Sequence, residues 1–136
     1  MTRRDEMPER RYDLRAPCAC CPYRKDAPLG KWHASHFLEL AANDAEQFGP
    51  VYACHCRDGN PCVGWVLDQR RRGLPCITLR LKMAEEPRLA DLVKEATDGG
   101  HEMFPSIAAM NLANLREIAM MARKNRQRRR QKRASG

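Results

Sequence analysis

Four cysteines fall as two spaced pairs, Cys18-x2-Cys21 and Cys54-x7-Cys62, with 32 residues between the pairs. Two separated thiolate pairs are the ligand pattern of a closed tetrahedral metal site, and such a site ties together segments that a small core cannot hold alone. The expected ligands are Cys18, Cys21, Cys54 and Cys62, with His55, Cys56 and Cys20 as alternates. Zn2+ is the favoured ion, because a sulfur-rich tetrahedral site without redox demand suits it. An iron–sulfur cluster is the alternative cofactor, although the spacing does not match the ferredoxin runs. Cys76 lies in an apolar segment and is expected to pack rather than ligate.

Catalytic readings are weaker. Pro17-Cys18-x-x-Cys21 matches the P-C-x-x-C half of a zinc deaminase, but no H-x-E stands upstream of it. A thioredoxin-type dithiol needs a preceding strand, and only a charged leader precedes Cys18. His33 and His36 are expected at the surface or in packing, and His101-Glu102 follows two glycines in a connecting loop. Trp32 and Trp65 are expected to pack around the ligand loops rather than to stack on bases. No catalytic residue is named, and the chain is expected not to be an enzyme.

The net charge of +8 is concentrated at one end. Arg123, Lys124, Arg126, Arg128, Arg129, Arg130, Lys132 and Arg133 supply eight cations, and no Asp or Glu follows Glu117. Without them the chain has 17 basic and 17 acidic residues. A neutral body with a cationic arm is the pattern of a protein that meets phosphate, so nucleic acid, DNA or RNA, is the expected partner. The arm has no aromatic residue, which favours backbone contact over base stacking. A solubilising tail, an acidic protein or an anionic lipid surface are the competing roles.

The elements that must position these residues are short. Residues 1–16 read as a flexible charged leader, 17–104 as the cysteine-rich domain, and 105–136 as a C-terminal helix with a basic tail. Prolines on both sides of Cys18-Ala19-Cys20-Cys21 predict a turn, and Asp26-Ala27-Pro28-Leu29-Gly30 predicts another. A helix is expected over Ser35–Asn43 with Phe37, Leu38, Leu40 and Ala41 on its apolar side. Val51–Cys54 reads as a short strand and Arg57-Asp58-Gly59 as a turn. Asn60 is the expected N-cap and Pro61 the first residue of a helix that carries Cys62 in its first turn and ends near Gly73.

Cys76–Lys82 alternates like a half-buried strand, with a short helix as the other option. Pro87 opens a helix with Leu89, Leu92, Val93 and Ala96 on one face, closed by Gly99-Gly100. Pro105 opens the last helix, with Ala108, Leu112, Leu115, Ala119 and Ala122 on its packing face. No Gly or Pro falls between Ser106 and Ser135, so this helix is expected to continue into the tail.

No secretory signal follows Met1, and no apolar stretch approaches the roughly 18 residues that span a bilayer. A cytoplasmic location is expected, and there thiolates on a metal are favoured over disulfides.

The run Cys18-Ala19-Cys20-Cys21-Pro22-Tyr23-Arg24-Lys25-Asp26-Ala27-Pro28-Leu29-Gly30-Lys31-Trp32, with Cys54-His55 and Cys62-Val63-Gly64-Trp65, resembles an uncharacterised family of small cysteine-rich proteins from actinobacteria and their phages. That family shows C-x2-C-P-aromatic-R-x-D-x-P-x-G-x-W, then C-H and C-x-G-W. The likeness covers Pro17 to Leu67 and leaves the basic tail outside. It implies relatedness rather than an activity, and it points to Cys18, Cys21, Cys54, His55 and Cys62 as the site.

The sequence therefore predicts a mainly α, zinc-stapled domain with a small β element and a long C-terminal helix. The expected function is that of a metal-binding, nucleic-acid-associated accessory or regulatory protein, with a phage relation implied by the resemblance. An iron–sulfur sensor or metalloenzyme, and a protein-interaction module using the face around Leu112 and Leu115, are the alternatives.

Overall fold

The computed structural model describes residues 12–54, 56–57, 59–73 and 75–135. The first eleven residues of the expected leader, the alternate ligand His55, and Asp58 of the expected turn lie outside the described residues. Among those described there are five helices: α1 (Ala34–Glu46), α2 (Val63–Arg71), α3 (Ile77–Glu85), α4 (Pro87–Glu95) and α5 (Ile107–Ser135). The chain is mainly helical with almost no strand. The only β pairings among the described residues are two isolated antiparallel bridges, Arg24 with Met103 and Ala53 with Pro61. The strand expected over Val51–Cys54 is thus a single bridge, because the loop turns back after too few residues to extend a ladder.

Helix α1 begins where His33 Nδ1 accepts the Ser35 N–H at 3.1 Å, and it ends at Gln47 in the left-handed conformation. Phe37 and Leu40 are buried, whereas Leu38 is 60% exposed and Ala41 is also exposed, against expectation. Each follows a core residue by one position, and the rotation of about 100° per residue turns it to solvent.

The start of α2 falls two residues later than expected. Cys62, not Asn60, is the N-cap, and Pro61 precedes the helix. Asn60 is buried and used differently. Its Oδ1 accepts the Asp13 N–H at 2.7 Å and its Nδ2 donates to the Asp13 carbonyl at 2.9 Å. This clasp draws in residues 12–16, where Leu14 is buried in the core. Nearby, Arg15 donates to the Asp13 carboxylate and holds its pKa down at about 2.

Cys76–Lys82 is helix rather than strand. Cys76 caps α3, Leu79 is buried and Met83 packs on the core, so residues three and four apart share one face, while Leu81, which alternation would bury, is 62% exposed. Pro87 opens α4 as expected, with Leu89 and Val93 buried. The helix stops at Glu95; Gly99 and Gly100 form a separate turn with positive φ rather than the helix cap. Helix α4 packs against α2 and α3, and α1 packs against α5.

Helix α5 runs 29 residues, about 43 Å, into the tail. Its buried face differs from expectation: Ile107, Met110, Asn111 and Asn114 are buried, Leu115 is half-buried, and Ala108, Leu112, Ala119 and Ala122 are exposed. Two amides occupy the seam because each meets backbone there. Asn111 Nδ2 donates to the Phe37 carbonyl of α1 at 3.1 Å, and Asn114 Oδ1 accepts the Gly30 N–H at 3.1 Å. A search for apolar periodicity passes over such residues.

Candidate metal centre

The first thiol pair sits in a tight turn. Cys21 N–H donates to the Cys18 carbonyl at 3.0 Å, and Arg24 N–H donates to the Cys21 carbonyl at 3.0 Å. The second pair closes a hairpin-like loop, in which Cys54 N–H donates to the Asn60 carbonyl at 2.7 Å and Cys62 N–H to the Tyr52 carbonyl at 2.7 Å. These bonds set Cys54 and Cys62 near one another, and the Cys62 position at the mouth of α2 brings the loop to the first turn.

Cys21 Sγ and Cys62 Sγ lie 3.9 Å apart and are both buried. Two sulfurs of a tetrahedron around an ion at about 2.3 Å would be about 3.8 Å apart. The backbone N–H groups of Tyr23, Gly64 and Arg24 favour the charged form of Cys21, and that of Trp65 favours the charged form of Cys62. Such donors stabilise thiolates. The hydrogen bond from Cys62, helped by these N–H groups, lowers the Cys21 pKa to about 7. Cys62, which provides that bond and is buried, is pushed up.

Cys18 is half-buried. Burial first, then the neighbouring Cys56 and Cys54 thiols, raises its pKa to about 12. Cys20 goes the other way: Lys31 Nζ lies 3.0 Å from its sulfur and lowers its pKa, with Cys56 adding to the effect. Cys76 packs in the core and its N–H donates to Gln69 Oε1 at 2.9 Å. All seven cysteines are free thiols. The sulfurs stand as neighbouring thiols, and among the described residues no three His, Cys, Asp or Glu side chains form a group set to hold a metal ion.

Gly64 explains one part of the C-x-G-W run. A Cβ there would lie 2.5 Å from Tyr23 Cβ and 2.8 Å from Cys21 Sγ, so only glycine lets the first turn of α2 sit this close to the sulfur. Gly30, with φ of 69°, turns the chain so that its N–H reaches Asn114. Arg24 forks onto Asp26 at 2.8 and 2.7 Å and also donates to the Cys18 carbonyl at 3.2 Å, bracing the first turn. Trp65 is buried, and Trp32 packs on the core beside His36. His36 hydrogen-bonds Tyr52, and burial lowers its pKa. Asn60, Gly64 and Lys31 escaped the sequence reading as site residues; the glycine alone left a signal, its place in that run.

At the other end, residues 119–135 of α5 are exposed on every side. The eight cations Arg123, Lys124, Arg126, Arg128, Arg129, Arg130, Lys132 and Arg133 encircle the helix instead of forming one face, as their spacing at about 100° per residue requires. The structure brings none of them to the sulfurs.

The fold and site define a small helical protein organised around clustered cysteines, with a bare cationic helix. The profile of DUF6283, a family of unknown function, matches residues 13–129, and the chain belongs to that family. The match reaches past Arg128 and so takes in part of the basic tail, which the narrower likeness over Pro17–Leu67 had left outside. No curated protein and no solved structure matches the chain. Among the described residues, no helix is long and apolar enough to cross a membrane.

Proposed function

We propose that this protein is a nucleic-acid-associated accessory or regulatory protein whose body is stapled by a structural zinc ion and whose C-terminal helix contacts phosphates. Cys18, Cys21, Cys54 and Cys62 would hold the ion, and Arg123 to Arg133 would meet the polyanion. Zinc supplies a structural cross-link here. The 3.9 Å spacing of the buried Cys21 and Cys62 Sγ supports the assignment of that pair.

The observation that carries the nucleic-acid reading is the helical arm itself: eight cations, no acid after Glu117, and every residue from Ala122 to Ser135 exposed. Cations crowded four residues apart, such as Arg126 with Arg130 and Arg129 with Arg133, repel each other, and phosphate relieves that repulsion.

Truncation after Ala122 tests the arm. The full chain is expected to bind DNA and RNA at low salt, with a log–log salt slope of about −0.9 per phosphate contacted on duplex DNA. The truncated chain is expected to lose that binding, and unchanged affinity would remove the arm from the account.

A further inference from the structure

The cations of the arm leave one sector of the helix surface open. With about 100° of rotation per residue, Gln127 and Gln131 stand about 40° apart, and Ala134 lies beside them. Lys124, Arg128 and Lys132, each four residues after the last, form a row along one flank of that stripe. Arg123, Arg126, Arg130 and Arg133, at spacings of three and four, form a row along the other flank, and Arg129 lies on the far side. All of these residues are exposed.

Two cationic rows with an amide stripe between them fit a groove that carries phosphates on both walls. A flat anionic surface meets one side of a helix and would leave one of the rows unused. The major groove of B-form DNA, about 12 Å wide, admits a helix about 10–12 Å across. The major groove of A-form RNA is too deep and narrow for side chains to read. Uncharged amides add nothing to the attraction for phosphate, but a glutamine in the major groove can donate to N7 of adenine and accept from its N6 amino group. The rise of about 6 Å from Gln127 to Gln131 spans about two base-pair steps, so the two amides would meet separate base pairs.

We propose that the arm enters the major groove of duplex DNA, where Gln127 and Gln131 read adenine edges while the two cationic rows hold the phosphates of the two strands. This rests on the nucleic-acid reading above and adds to it a form of nucleic acid and a base preference. The arm's lack of aromatic residues is no obstacle, because base edges are read by hydrogen bonds and not by stacking.

Fluorescence anisotropy of the full chain against two duplexes tests this. One duplex alternates dA and dT; the other carries 7-deazaadenine in place of adenine, which removes the N7 acceptor and keeps the Watson–Crick pairing. The wild type is expected to bind the unmodified duplex about tenfold more tightly. The Gln127→Ala/Gln131→Ala double variant is expected to bind the two equally and to keep the wild-type salt slope, since both positions are exposed, neither carries charge, and alanine favours the helix. Equal binding of the two duplexes by the wild type overturns the base reading and leaves the phosphate-binding arm standing; no binding of either duplex at low salt overturns both. A double variant that retains the wild-type preference would place the reading elsewhere and overturn the assignment to the glutamines. Tighter binding to the duplex RNA of the same sequence would overturn the choice of groove.

Discussion

The cysteine-bearing body and the distal half of α5 solve opposite problems. The body is built from short, irregular segments, and each is held by a particular bond: Asn60 clasps Asp13, Asn114 receives the Gly30 N–H, and Arg24 grips Asp26. The distal helix is regular and exposed from Ala122 onward, since its backbone groups are satisfied within itself. Irregular backbone needs outside partners and a helix does not. A cross-link is therefore useful in the first region and irrelevant to the second, whose distinguishing property is unopposed charge.

That contrast can be broken most severely at the proposed zinc site. Cys62→Ser, or stripping zinc with a chelator, is expected to abolish cooperative thermal unfolding of the body, because structural zinc supplies about 10–16 kcal/mol in small domains. Circular dichroism would follow it, and a melting curve like that of the untreated wild type would show that the body stands without the ion. A smaller loss is expected for Gly64→Ala, whose added methyl meets Cys21 Sγ and Tyr23. Overpacking of this kind costs about 1–3 kcal/mol, measurable as a lowered midpoint in denaturant. The smallest effect on stability belongs to the tail. Arg128→Ala, Arg129→Ala and Arg130→Ala together should leave stability within about 0.5 kcal/mol while flattening the salt dependence of DNA binding. Matching losses of stability and binding would erase the distinction between the regions.

The sequence exposed the regular parts of this molecule and hid those that depend on partners. Pro87 and the uninterrupted run after Ser106 marked α4 and α5 because proline and the absence of breakers act locally, although α5 starts at Ile107, two residues beyond the Pro105 expected to open it. Cys76–Lys82 misled, since its apolar residues satisfy a period of two and also recur at three and four, and tertiary contact through Leu79 and Met83 decided for helix. The inner face of α5 was illegible because Asn111 and Asn114 earn their burial from backbone partners far away in sequence. At the site, spacing nominated Cys18, Cys21, Cys54 and Cys62, and it could not reveal that Lys31 reaches Cys20.

X-ray absorption at the zinc edge of the purified full chain tests the central claim most directly, because it reads the atoms bonded to the ion. Coordination by cysteine predicts a first shell of sulfur alone at about 2.3 Å. A shell containing nitrogen or oxygen at about 2.0–2.1 Å, as ligation by His55 or water would give, or a preparation without zinc, would contradict it.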